Sequence, residues 1–158
     1  MIVDDSLVVR KVLSSLLARD RDLNVAGWAS NGRLALAKLQ SFRPDVILLD
    51  IEMPEMSGLE ALPKIRQILP KTPIIMFSTL TEWGAKATLD ALELGATDFV
   101  PKPSNQNMAA TAESIDRELI PKIKALCGIP FEARSSLSGA ARPVVTIPPA
   151  RIRLHPGN

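Results

Sequence analysis

Short apolar runs alternate along this chain with longer stretches in which apolar residues recur every three or four positions, a spacing that separates buried strands from amphipathic helices. Residues 1–3, 24–29, 46–49, 72–77 and 96–100 form the short runs. The first is shorter than the usual five or six residues of a strand, so a start upstream of Met1 is expected. Between the runs, Ser6 is placed to cap a helix to about residue 18, with Val9, Val12, Leu13, Leu16 and Leu17 on one face. Ser30-Asn31-Gly32 opens a second helix to about residue 41, and Arg43-Pro44 stops it. A third runs over 59–69; Pro63, which lacks an N–H, predicts that it is bent or starts late. Thr79 and Glu82 have the spacing of a capping box for a fourth helix ended by Gly95. A fifth, over 107–126, is expected to kink at Pro121. Strictly alternating strands and helices predict an α/β fold with a doubly wound, five-stranded parallel sheet in the flavodoxin-like order 2-1-3-4-5 and helices on both faces.

Beyond Gly128 the periodicity stops. Residues 128–158 contain Pro130, Pro143, Pro148, Pro149 and Pro156 and read as a linker or tail following a domain over 1–127. Residues 144–147 could add a strand, and Arg151-Ile152-Arg153 could touch an acidic partner, but a solvated tail explains both. The only histidine, His155, has no role there. The tail carries four arginines against one glutamate, so 1–127 is close to neutral at −1, without the basic face that nucleic acid requires. One cysteine, Cys127, precludes an intramolecular disulfide and a cysteine-based zinc site and reads as a half-buried apolar residue. No run reaches the ~20 apolar residues of a membrane span, and no signal peptide opens the chain. A reducing, cytoplasmic setting is expected.

Candidate chemistry gathers at strand ends. Asp50 closes the central run 45–50 and precedes a loop containing Pro54 and Gly58. It could simply cap a turn. However, Asp4-Asp5 closes the first run, and in a doubly wound sheet these two strands flank the switch point, bringing three acids to one edge. Carboxylates ~4 Å apart repel by about 4 kcal/mol per pair at an effective dielectric of ~20. Such a group takes up protons or binds a cation, and hard oxygen ligands suit Mg²⁺. Lys102 and Ser78 lie just past two further strand ends on that edge. An ammonium, a hydroxyl and Mg²⁺ around a carboxylate suit phosphoryl transfer, with the acid as nucleophile. A cis Lys102–Pro103 peptide is one way to aim the lysine inward.

Asp4-Asp5, Asp50 with the Asp-Ile-Glu-Met-Pro loop and its Ser57-Gly58, Ser78 and Lys102-Pro103, in this order, resemble the receiver domain of two-component response regulators over residues 1–127. Residues 77–85 and 94–104, and the segment 118–124, are similar to the receiver of the chemotaxis protein-glutamate methylesterase. The resemblance implies that Asp50 accepts a phosphoryl group from a chemotaxis histidine kinase. It further implies that Asp5, Asp50 and the Glu52 carbonyl bind Mg²⁺ directly, with Asp4 acting mainly through water. Lys102 would pair with the phosphoryl oxygens and Ser78 would hydrogen-bond one of them. Glu52 and Leu80 would flank the path of the water that hydrolyses the phosphoryl group. Phe99 stands where the family has a switch aromatic, often Tyr; lacking a hydroxyl, it would be held inward by packing alone, or is simply strand core. Chemoreceptors would be reached only indirectly.

The family's esterase follows its receiver and uses a serine, a histidine and an aspartate. This chain ends at Asn158 without a Gly-x-Ser-x-Gly motif, so either a fragment or a receiver without its effector is expected, acting in the latter case through protein contacts. Two rivals remain. Asp50-Ile51-Glu52 echoes the acid-x-acid motif of haloacid-dehalogenase-type phosphatases, although the order of motifs here is reversed. A DNA-binding regulator would need a helix-turn-helix after Gly128, which the proline-rich tail lacks.

Overall fold

The computed structural model describes residues 1–79, 82–103 and 108–130, apart from the side chains of 82–85. Strands β1 (Ile2–Val3), β2 (Trp28–Ala29), β3 (Ile47–Leu49), β4 (Ile74–Ser78) and β5 (Asp98–Pro101) form one parallel sheet in the order β2-β1-β3-β4-β5. Helices α1 (Leu7–Leu17), α2 (Gly32–Phe42), α3 (Gly58–Ile68) and α4 (Glu82–Glu93) connect successive strands. After β5 come α5 (Met108–Ser114), a π-helical segment Ile115–Leu119 and α6 (Ile120–Leu126).

The strands are shorter than the apolar runs suggest, but their alternation explains the layers. Val3, Ile47, Leu49, Ile74 and Met76 turn to one face, where Ala35, Leu39, Ala61, Leu62, Ile65 and Ala91 of α2, α3 and α4 cover them. Ile2, Leu48, Ile75, Phe77 and Val100 turn to the other, packing on Leu13, Leu16 and Leu17 of α1 and on Ile115, Leu119, Ile120 and Ile123 near the end of the described chain. Both faces of a parallel sheet are thereby buried, which is why its strands read as unbroken apolar runs.

Three helix starts carry polar side-chain caps, of which the sequence predicted the one at Ser6. The Ser6 side chain accepts from Val9 N–H, that of Asn31 from Leu34 N–H, and Ser57 with Glu60 forms a full capping box. α4 ends as expected at Gly95, where φ is +106° and Ala96 N–H reaches back to the Ala91 carbonyl. The structure refines two proline expectations. α3 is not late: it starts at Gly58 and continues through Pro63. At Pro121 the disturbance is a widened turn just before the proline, in which Ile120 N–H bonds to the Ile115 carbonyl five residues back. The Glu82 side chain of the expected Thr79–Glu82 capping box, Leu80, Ser104, residue 107 and the tail over 131–158, with its possible strand, arginine tract and His155, lie outside the described residues. Cys127 is half-buried at the end of α6, and burial raises its thiol pKa. Among the described residues, no helix is long and apolar enough to cross a membrane.

Candidate functional site

The parallel ladder carries three side chains to one sheet edge by continuing one step past the strands. Asp4 N–H donates to the Ala29 carbonyl, Asp50 N–H to that of Val3 and Lys102 N–H to that of Ser78, at 2.9–3.0 Å. The loop after β3 is tied down as well: Gly58 N–H donates to Ile51 and Gly32 N–H to Met56. Gly58 passes so close that a Cβ there would lie 2.0 Å from the Asp50 carbonyl oxygen. Within this loop Glu55 has φ +64°, in a tight turn closed by Met56 N–H on the Pro54 carbonyl.

The acids converge as the sequence predicts. Carboxylate oxygens of Asp4, Asp5 and Asp50 lie within 4.8 Å of one another, Asp4 and Asp50 buried and Asp5 exposed. Lys102 Nζ sits between two of them, 2.7 Å from Asp4 Oδ2 and 2.7 Å from Asp50 Oδ2. The remaining oxygens of these acids accept backbone donors, Asp4 Oδ1 from Ser6 N–H at 2.9 Å and Asp50 Oδ1 from Ile51 N–H at 2.8 Å. Burial raises the Asp4 pKa above its usual value, against the lowering effect of Lys102. For Lys102 burial favours the neutral amine, but its bonds to Asp4 and Asp50 prevail and the pKa is raised.

Three carboxyl groups and one ammonium thus share one edge of the sheet, with more carboxylate oxygens than Lys102 and the backbone donors engage. Asp5 projects to solvent beside two acids already aligned by backbone donors. This donor set fits a hard divalent cation such as Mg²⁺. No backbone N–H among the described residues donates to the Glu52 carbonyl.

Other candidates stand apart from this contact set. Ser78 is buried at the end of β4, with no hydrogen bond among the described residues joining its hydroxyl to the acids. Phe99 is half-buried in β5 against the α2–α3–α4 core; its carbonyl accepts from Lys122 Nζ at 3.0 Å. The Lys102–Pro103 peptide is not cis, so the lysine reaches Asp50 through a trans link. One buried residue escaped the sequence reading. Arg10 donates to the carbonyls of both Asp4 and Asp5, and its one sequence signal is a cation within the apolar stripe of α1, three residues before Leu13.

Fold and site together define a doubly wound α/β domain of the signalling type, with a lysine-bridged acid cluster at the carboxyl ends of its central strands. The model for the response regulator receiver domain matches residues 1–112, and the chain belongs to this family. It is 49% identical over 156 residues to a protein-glutamate methylesterase/protein-glutamine glutaminase of Nocardioides sp., covering 98% of this chain and 41% of the relative. A protein of the same name from Trichodesmium erythraeum is 48% identical over 128 residues, covering 80% of this chain and 36% of that one. The chain thus spans about two-fifths of the length of these relatives. The response regulator domain of Thermotoga maritima CheB superposes with TM-score 0.70 at 39% identity, covering 82% of this chain and 96% of that one. A Vibrio cholerae chemotaxis protein, CheY4, superposes with TM-score 0.63 at 33% identity, covering 79% and 94%.

Proposed function

We propose that residues 1–127 act as the phosphoacceptor unit of a cytoplasmic chemotaxis response regulator, phosphorylated on Asp50 and controlling a protein-glutamate methylesterase effector. The observation that carries this reading is Lys102 Nζ, equidistant at 2.7 Å from Asp4 and Asp50 beside the exposed carboxylate of Asp5. A phosphohistidine of a chemotaxis histidine kinase is the donor. A carboxylate oxygen of Asp50 attacks phosphorus; the P–N bond breaks, its electron pair stays on the imidazole nitrogen, which takes a proton, and an acyl phosphate forms.

Asp5, Asp50 and the Glu52 carbonyl would hold Mg²⁺, and Asp4 would support it mainly through water. When bound, Mg²⁺ neutralises charge on the carboxylates and on the phosphoryl oxygens. Lys102 is already aimed at the Asp50 oxygen that its neighbours leave free, and turns its ammonium to a phosphoryl oxygen as the bond forms. Ser78 donates its hydroxyl to another. Output runs through the face of α4, β5 and the start of α5, where Leu89, Leu92 and Met108 are exposed apolar side chains. Phe99 in β5 is the switch aromatic, and packing alone holds its inward state. Chemoreceptors feel the result indirectly, through the effector.

Incubation with acetyl phosphate and Mg²⁺ tests the reading. Intact mass is expected to rise by one phosphoryl group, and the Asp50→Ala protein is expected to remain unlabelled. Equal labelling of that variant overturns it.

A further inference from the structure

We infer that Arg10 is a positioning residue for the metal-binding acids, braced by the indole of Trp28; this rests on the metal-dependent reading of the site above. Arg10 lies on α1, only 8% exposed, and its Nη1 donates to the carbonyl oxygens of Asp4 at 2.6 Å and Asp5 at 3.0 Å. One nitrogen therefore fixes two consecutive peptide planes, those from which the two acidic side chains project. The Asp4 side chain is fixed from its other side by Ser6 N–H. The three contacts together leave the Asp4-Asp5 turn little freedom.

The guanidinium has no other polar attachment among the described residues. Among the described residues no carboxylate lies within ion-pairing distance, and Nε is buried without a hydrogen-bond partner. A buried cation without a counter-ion is costly unless something offsets its desolvation. Three neighbours do so. The carbonyls of Asp4 and Asp5 accept its protons, and its Cζ lies 4.8 Å from the centroid of Trp28, a cation–π distance. Trp28 is itself fixed: it pairs in register with Ile2 in β1, and Lys38 Nζ donates to its carbonyl at 3.0 Å while lying 4.9 Å from its ring. A rigid chain of contacts thus leads from the edge strand to the acid cluster.

A merely structural arginine would alter thermal stability and leave metal affinity unchanged. The experiment therefore measures the Mg²⁺ dissociation constant by calorimetry, well below each variant's midpoint, on the full chain. Arg10→Met is expected to weaken Mg²⁺ binding by about tenfold, the usual effect of removing an outer-shell partner. Trp28→Leu keeps the guanidinium and loses its brace, and is expected to weaken binding by about threefold. In a Trp83→Phe background Trp28 is the only tryptophan, and its fluorescence is expected to change on adding Mg²⁺, a change that Arg10→Met abolishes. At saturating Mg²⁺, acetyl phosphate labelling of Arg10→Met is expected to recover to the wild-type extent, because Asp50 and Lys102 remain in place. A folded Arg10→Met protein whose Mg²⁺ affinity stays within about twofold of wild type overturns the inference. If that variant does not fold, unchanged affinity in Trp28→Leu does the same. Wild-type protein that binds no Mg²⁺ overturns the functional reading along with it, whereas wild-type binding and labelling beside unaffected variants overturn this inference alone.

Discussion

Asp4 carries an electrostatic penalty in the metal-free protein. Its carboxyl is almost wholly buried, and burial, opposed in part by Lys102, raises its pKa from 3.8. A raised acid pKa means that the folded form holds the proton more tightly than the unfolded form. Stability linked to this group is therefore greatest below pH 3.8, falls as pH rises through the folded pKa and stays low at neutrality. Asp4→Asn is expected to raise the metal-free melting temperature at pH 7 by a few degrees, since about 1 kcal/mol moves the midpoint of a domain this size by roughly 4 °C. Melting curves should show that gain shrinking toward pH 4. The same variant should gain less from added Mg²⁺ than wild type, because binding to the native state is what stabilises it. Lys102 behaves oppositely: its pKa is raised by the two acids, so its contribution is complete below 10.5 and lost only as pH climbs through the folded value.

At the level of elements, two junctions hold the sheet edge and its far end. Gly58 begins α3 against the backbone of Asp50, and a Cβ at 2.0 Å from that carbonyl has no room without moving the loop. Gly58→Ala is expected to cost about 2 kcal/mol or more in urea unfolding, and to reduce acetyl phosphate labelling because the displaced backbone is that of the acceptor. At the amino ends of the strands Arg66 of α3 donates to the carbonyls of Leu69, Thr72 and Gly95 and to the Thr97 hydroxyl. Thr97 Oγ1 also accepts from Ile74 N–H, so one guanidinium joins α3, the start of β4 and the approach to β5. Arg66→Ala is expected to cost about 2–3 kcal/mol in urea unfolding and to leave labelling of folded protein unchanged, since the site is at the opposite edge.

For the whole molecule, the sheet divides the interior into two cores, and β5 belongs to both through Phe99 and Val100. Lys122 joins α6 to β5 through Asp98 at 2.8 Å and the Phe99 carbonyl, while Lys124 joins α6 to the connection after α1 through Asp20 and Asp22, each at 2.9 Å. Lys102 thus lies one step past a strand that Lys122 ties to α6. Binding of beryllofluoride, which mimics the phosphoryl group, is expected to alter hydrogen exchange in peptides spanning β4, α4 and β5. Unchanged exchange there counts against the proposed output face.

Much of this protein was legible in its sequence because a buried parallel sheet needs unbroken apolar strands, and the helices between them need polar caps. Residues 47–49 and 74–77 could hardly be anything else, and their order fixed the edge at which Asp4, Asp5, Asp50 and Lys102 meet. Local pattern could not give what depends on contacts distant in the chain. The bridging of Asp4 and Asp50 by Lys102 spans 52 residues from Asp50, and the clamp at Arg66 reaches 31 residues to Thr97. Pro121 announced a disturbance, but its form as a π-helical turn was decided by packing. Arg10 was not singled out by local pattern. Only the folded chain brings the carbonyls of Asp4 and Asp5 to one side of it and Trp28 to its guanidinium, because burial of a charge is decided by what the rest of the molecule places around it.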